Sequence, residues 1–409
     1  MLIRALYVCY FGVREPLVHA QVLPYLRELA GSGVRVSLLT FEPDLKRQWN
    51  AESIAEWKER LRRQGIQWHL LGYHRSPTLP AKLYDIVAGA WRAAAIGRRE
   101  QIDIFHGRSH VGTTIAMLAS RLHRGRTIFD MRGFLAEEYV ESGRWRPGGY
   151  LPRLAKRAER WLCRSADGFV MLTVRARETL FDEASLRGRP LEVIPCCVDL
   201  SRFTASSLDR GRVRDELGVA DRVVCVYAGT IGGAYVTADT AAFLAAARAV
   251  DPRVFALVLT PFDPASIGAE FDRCGLSAGD YRLLHCRPED VPRYLAAADI
   301  GLALARQGFA RRATSPTKVA EYLAAGLPVI AASGIGDLDA RLEQAGIGVL
   351  VPRFDRAAFT AAFAAMASLR QDPDLGERCR REARSQYDLH TVGGFKYRRL
   401  YAALSRPRS

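Results

Sequence analysis

Apolar residues in this chain gather in short runs, and helical spacing of apolar residues fills the stretches between them. In the first half the runs fall at residues 3–10, 35–40, 68–71, 104–106, 127–130, 168–172 and 191–195. Helical periodicity covers 20–32, 51–64, 79–99, 113–122, 151–165 and 174–180. A second series of apolar runs follows at 222–228, 254–260, 281–286, 300–303 and 328–332. Helical patterns at 239–250, 291–298 and 317–325 separate them, and the chain closes with a helical pattern over 388–404. Continuous apolar strands alternating with helices predict an α/β fold, because a parallel sheet buries both faces under its crossover helices. Two such series predict two doubly wound domains, 1–200 and 201–385, with 386–409 returning to the first. Ligands on such sheets bind at the carboxyl ends of the strands, which places the expected site in a cleft between the domains.

Composition leaves this picture intact. The 409 residues are 49% hydrophobic and 25% charged, as in ordinary globular proteins. Charge adds something. The chain carries a net +15, and residues 1–195 hold 31 basic against 20 acidic side chains, so the excess sits mainly in the first half. A basic face suits nucleic acid, an anionic membrane or a phosphorylated substrate. Lysine is scarce, so an arginine-rich genome can account for part of it. No recognition motif or basic aromatic stripe accompanies the charge, and nucleic acid is not expected as a partner. The eight cysteines are scattered, with no Cys-x-x-Cys pair and no zinc spacing, and are expected to be small buried side chains. No apolar run reaches the roughly 18–20 residues that span a bilayer. The first residues read as a buried strand without a signal peptide's cleavage site, so a cytoplasmic protein is expected.

The densest chemistry lies between Ser315 and Ala331. Ser315 suits an N-cap, Pro316 the first helical position, and Gly326 the helix end. Free N–H groups at a helix start attract phosphate, and Lys318 adds positive charge. Glu321 lies about 9 Å further along the axis than Ser315. A nucleotide lying along the helix would put its diphosphate at the start and its ribose hydroxyls at Glu321. A well-capped helix with a solvated Glu321 has the same pattern. In the first half, Asp130 and Arg132 end a predicted strand, and His106-Gly107-Arg108-Ser109-His110 ends another. Either set can face the cleft or form structural pairs, and His110 is the preferred histidine. Glu137 and Glu138 are the nearest further carboxylates. Asp337-Leu338-Asp339 has a metal-binding spacing, but such triplets arise often by chance. Residues 151–164 combine Leu151, Leu154, Trp161 and Leu162 with Arg153, Lys156, Arg157, Arg160 and Arg164. Such a helix can pack on the sheet and still show its basic side to an anionic membrane.

These residues resemble a known family. The 315–331 segment is similar to the nucleotide-sugar site of retaining glycosyltransferases of the two-Rossmann-domain (GT-B) type, family 4. Residues 193–203 resemble that family's inter-domain segment, and 287–303 its helix and strand before the donor site. Residues 21–29 resemble its first helix. Phe129 to Phe134, with Glu137 and Glu138, resembles an acceptor-side motif of a bacterial surface-polysaccharide subgroup. The resemblance implies two facing Rossmann-like domains that move a sugar from a nucleoside diphosphate sugar to an acceptor hydroxyl, with retained configuration. It implies that Glu321 binds ribose, that Ser315, Thr317, Lys318 and the Gly232 and Gly233 amides hold the diphosphate, and that Thr230 is also donor-binding; Arg311 and Arg312 are further candidates for phosphate charge. The base would lie near Cys286 and Arg287. Arg132, His110, Asp130 and Glu138 would act from the first domain. No metal or other cofactor is implied, because helix dipole and cations stabilise the leaving diphosphate. A lipid-linked glycan acceptor at the inner membrane face would fit the basic first domain. The sequence departs from the family at Ala313, where the first of two signature glutamates stands, and Gln307 to Phe309 is one place for a substitute. The loop after residue 228 lacks the family's Arg and Lys. A nucleotide-sugar epimerase of the same fold, or a non-catalytic sugar-nucleotide-binding partner, would share most of these features.

Overall fold

The computed structural model describes residues 2–76, 78–204, 209–229, 237–260 and 265–405. The chain forms two compact units, one running to Pro195 and resuming at Leu389, the other spanning Cys196–Asp388. The first holds β1 (Arg4–Cys9), β2 (Arg35–Pro43), β3 (Ile66–Tyr73), β4 (Ile104–Arg108), β5 (Arg126–Asp130), β6 (Gly168–Met171) and β7 (Leu191–Val193), in the order 3-2-1-4-5-6-7. The second holds β8 (Val223–Ala228), β9 (Val254–Thr260), β10 (Tyr281–His285), β11 (Ile300–Ala303), β12 (Val329–Ala332) and β13 (Gly348–Val351), in the order 10-9-8-11-12-13. Every pairing is parallel. Strand order therefore reverses between β1 and β4, and again between β8 and β11, the positions at which such sheets bind ligands.

The elements differ from the sequence pattern in instructive places. Residues 20–32 do not form one helix. Helix Pro16–Gln21 ends and helix Leu23–Gly31 starts afresh, with Pro24 in its first turn. Proline has no N–H to continue the earlier hydrogen-bond ladder. The closing helix begins as a wide π turn, Leu389–Gly394, before helix Phe395–Ser405. Strand β13 and helix Leu375–Gln386 are additions to the pattern. β13 is a four-residue edge strand, mostly half-buried. The helix is largely polar and buries only Leu375, Cys379 and Ala383.

The division falls at 195/196 and 388/389 rather than at 200 and 385, because hydrogen bonds draw these segments into the second unit. Val198 N–H donates to Tyr387 O at 2.8 Å, and Cys196 N–H to Ser315 Oγ at 3.1 Å.

One side chain organises the second unit. Tyr322, in helix Thr317–Ala324, is fully buried. Its hydroxyl accepts from Ala228 N–H at 2.8 Å and donates to Leu302 O at 3.3 Å, joining the helix to β8 and β11. Its ring lies flat on Gly301, where a Cβ would come within 2.3 Å. The helix then stops in a Schellman motif: Leu327 N–H bonds Tyr322 O at 2.9 Å, Gly326 N–H bonds Leu323 O at 3.0 Å, and Gly326 adopts φ +82°. The Tyr322→Phe variant should leave the buried Ala228 N–H without its acceptor. It should destabilise the second unit by about 1–3 kcal/mol, read as a lower urea midpoint with an unchanged slope.

Candidate active site

In the first unit the carboxyl ends of β4 and β5 gather a buried charged cluster. Arg108 and Asp130 stand in register at these two ends. Asp130 is fully buried, and its Oδ2 accepts from Tyr7 Oη at 3.1 Å and Tyr397 Oη at 3.3 Å, with His106 Nε2 at 3.4 Å. Its Oδ1 accepts from Arg132 Nη1 at 3.3 Å. Burial opposes the ionised carboxyl, but Arg132, His106 and Arg108 outweigh it and hold Asp130 below the usual carboxylate range. Burial pushes the phenols of Tyr7, Tyr397 and Tyr401 well up, so they stay hydrogen-bond donors. It lowers His106, whose Nδ1 lies 2.9 Å from Tyr401 Oη. Gln21 Oε1 receives both arginines, Arg108 Nη2 at 2.9 Å and Arg132 Nη2 at 3.2 Å.

The turn into helix Ser109–His123 is tight. A Cβ on Gly107 would lie 2.1 Å from Thr113 Cα, one on Gly112 2.6 Å from Val8 O, and Ser109 itself has φ +57°. This turn decides which side chain joins the cluster. Arg108 stays with it, 3% exposed, while His110 turns away. His110 Nε2 lies 3.2 Å from Glu159 Oε2 and its ring meets Phe129 edge-on, so it braces helix Tyr150–Ser165. His110 is expected beside Asp130 and Arg132; its side chain contacts Glu159 and Phe129. Glu137 is tied to Lys156 at 2.9 Å. Glu138, in helix Leu135–Glu141, folds back over Gly133, where a Cβ would stand 2.0 Å from its Oε1.

In the second unit the start of helix Thr317–Ala324 carries the charge. Its cap position is Pro316, not Ser315, whose Oγ is instead taken by Cys196 N–H. Thr317 is the first helical residue. Lys318 is buried, with Nζ 3.6 Å from the Tyr227 ring centroid, and a Cβ on Gly229 would lie 3.5 Å from that nitrogen. Gly229 follows β8 at φ +128°, so the ammonium lies at the carboxyl end of that strand. Burial lowers Lys318 to about 7, with Glu321 acting the other way. Burial raises Glu321 to about 7, against the charges of Arg202 and Lys318. Arg202 lies in the short 3-10 turn Leu200–Phe203 and donates to Pro288 O. Glu321 also acts on Cys286, whose thiol is pushed up to about 11 by burial first and then by Asp290, Glu289 and Glu321. Helix, 3-10 turn and the segment after β10 therefore meet around one carboxyl group.

The other candidates take varied places. Arg287 is exposed and donates from Nε to Asp290 Oδ2 at 3.0 Å. Arg311 is half-buried in the 3-10 turn Phe309–Ala313, and its carbonyl accepts from Gly336 N–H at 2.8 Å. Ala313 is buried. Gln307 spends its Nε2 on Pro352 O at 3.0 Å. Thr230, Gly232 and Gly233 lie outside the described residues. Asp339 closes a local turn, both oxygens accepting from Gly334 N–H at 2.9 Å. Among the described residues no group of three or more His, Cys, Asp or Glu side chains is arranged to hold a metal ion. Sequence reasoning missed Arg202, Tyr227 and Tyr322. Arg202 carried a signal, since it sits inside the 193–203 segment. The other two read as ordinary core aromatics.

Chemically, the second unit offers a cation at a helix start and a carboxyl group one turn on, about 4.5 Å along the axis. An approaching phosphate would restore the full charge of Lys318, and Glu321 can accept from two hydroxyls. Two doubly wound parallel units are the architecture of the GT-B class. Comparison with known families agrees. The Glycosyltransferase Family 4 model matches residues 20–202, and the Glycosyl transferases group 1 model matches residues 224–368. The chain belongs to the family 4 glycosyltransferases with the GT-B fold. No curated protein matches it in sequence. Among solved structures it is similar to a glycosyltransferase from Rickettsia africae ESF-5, with TM-score 0.74, 13% identity and 100% of each chain covered. It is similar to Anabaena Alr3699/HepE in complex with UDP-glucose, with TM-score 0.69, 16% identity, and 98% of this chain and 100% of that chain covered. It is also similar to WaaG, a glycosyltransferase involved in lipopolysaccharide biosynthesis, with TM-score 0.65, 16% identity, and 99% and 100% covered.

The Glu321 environment gives a pH signature. A carboxyl whose folded-state value is raised from 4.5 to about 7 contributes stability below pH 4.5 that is lost as pH rises through about 7. Glu321→Gln removes that loss. It should therefore melt above wild type at pH 8 and alongside it at pH 4.5, measured by thermal unfolding across this range.

Proposed function

We propose that this glycosyltransferase takes its sugar from a uridine diphosphate sugar and passes it, with retained anomeric configuration, to a hydroxyl of a lipid-linked glycan in polysaccharide assembly. The arrangement of Lys318 against Tyr227 and Gly229, with Glu321 one turn on, carries the donor half of this reading. Lys318, Thr317 and the first N–H groups of the helix hold the diphosphate, Arg311 adds charge, and Glu321 accepts from the ribose hydroxyls. The pyrimidine lies beside Cys286 and Arg287. UDP and UDP-glucose in the Anabaena structures support uridine as the base.

In the reaction the bond from the anomeric carbon to the diphosphate oxygen breaks. The acceptor oxygen bonds that carbon on the same face, and its proton passes to the departing phosphate oxygen. No carboxylate nucleophile is needed. The protein contributes charge stabilisation of the leaving group and positioning, the terms worth most in such transfers. Arg132, fixed by Asp130 and Gln21, and Arg108 beside it supply positive charge from the first unit, with Glu138 on the acceptor side. Ala313 leaves the first signature carboxylate vacant, so sugar recognition rests on other groups. The basic first unit and the part played by WaaG in lipopolysaccharide biosynthesis support a lipid-linked, anionic acceptor and a place at the inner membrane face.

Calorimetric titration with UDP, GDP and ADP tests the donor half. UDP should bind selectively, and Glu321→Ala should weaken it at least tenfold. Failure of a folded protein to bind any of the three would overturn the reading. The Arg132→Ala variant should keep UDP affinity within about twofold while losing at least 100-fold in transfer rate, since its charge is needed only as the leaving group departs.

A further inference from the structure

Helix Thr78–Glu100 runs back along the first unit from the carboxyl end of β3 to the start of β4. Its inner side is fixed by close packing. A Cβ on Gly89 would lie 2.7 Å from Phe41 Cζ, and one on Gly97 2.7 Å from Phe105 Cζ. The outer side of such a helix is ordinarily polar. Here it is not. Leu79, Leu83, Val87 and Trp91 recur every four residues at 49%, 63%, 47% and 67% exposure, with Tyr84 beside them at 61%. They make an apolar stripe about 18 Å long. No exposed charge interrupts it. Lys82 is half-buried, and Asp85 is buried, taken by Tyr10 Oη at 2.6 Å and by His74 N–H and Nδ1 at 3.0 and 2.6 Å. Beyond the stripe the exposed charges of this helix are Arg92, Arg98 and Arg99.

Helix Ser109–His123 packs against this helix on one side and against helix Tyr150–Ser165 on the other, so all three cover one face of the sheet. The last of these exposes Arg153, Arg157, Arg160 and Arg164 in a row, with Tyr150 and Leu154 at its start. Its one acidic residue, Glu159, is buried against His110 and Lys156. One face thus combines an apolar stripe ending in aromatic side chains with two sets of arginines, and these two helices expose no acid beside them.

We infer that this face is a bilayer-docking surface: the Leu79–Trp91 stripe enters the headgroup boundary of a membrane rich in anionic lipid, and the arginine row of the neighbouring helix holds the phosphates. The charge selects this occupant. Anionic headgroups complement the arginines, and Trp and Tyr favour the membrane interface. A second copy joined by a two-fold axis would set the same face, and hence like charges, against itself. The inference builds on the lipid-linked acceptor proposed above and says which surface meets the lipid.

Flotation with vesicles of phosphatidylethanolamine and phosphatidylglycerol in equal parts, compared with phosphatidylcholine alone, tests it without donor or acceptor. Wild type should float with the anionic vesicles. Leu83→Glu/Trp91→Glu should lower the bound fraction at least tenfold. Arg153→Gln/Arg157→Gln/Arg160→Gln should erase the preference for the anionic vesicles. UDP titration of each variant, expected to be unchanged, shows that it is folded and separates failure here from failure of the donor reading. Vesicle binding that the stripe variant leaves intact would overturn the inference. So would a concentration-dependent dimer of wild type that the stripe variant dissolves.

Discussion

A single hydroxyl group ties the helix start of the second unit to its sheet. Tyr322 reaches from its helix into the sheet and takes the last backbone N–H of β8 while giving its proton to β11. That bridge sets the distance between the helix start and the carboxyl end of β8. With it, the Lys318 ammonium is held over Tyr227 and beside Gly229. The ring demands glycine at 301 and the Schellman turn demands glycine at 326, so two backbone choices serve one side chain. Such rigidity matters chemically, because hydrogen-bond donors stabilise developing charge only from positions fixed in advance.

The first unit solves a different problem, which is to hold two arginines at a sheet end where little water reaches them. Asp130 is the counter-charge. Its carboxylate is surrounded by donors that keep their protons, two tyrosines and a histidine, and by Arg132. Tyr397 and Tyr401 come from the last helix, so the end of the chain completes a cluster begun by β1. Burying charge is costly unless it is countered, and this arrangement draws its counter-charge and donors from five separate stretches of sequence.

The helix start of the second unit runs against stability. Lys318 and Glu321 are each pushed toward their neutral forms by burial, and each acts against the other's shift. Shifts of this kind cluster at functional sites. The exposed apolar stripe on helix Thr78–Glu100 is the same kind of exception on the outer surface, tolerated where a partner surface covers it.

The sequence by itself determined the fold class and most of helix Thr317–Ala324. Fully buried parallel strands leave unbroken apolar runs, and helix ends leave proline and glycine at fixed offsets, so both are local signals. The short edge strand β13 and the polar helix Leu375–Gln386 bury too little to leave such a signal. Side-chain direction was not legible. Arg108 and His110 are two residues apart in one motif, yet the strained turn at Ser109 sends one into the Asp130 cluster and the other onto Glu159. Ser315 looks like a cap and instead ties down Cys196. Only tertiary structure decided these, because each depends on which backbone or charge arrives from more than about 40 residues away. Contacts of that range leave no periodicity in the chain, and the energy of a buried charge is fixed by all its neighbours together.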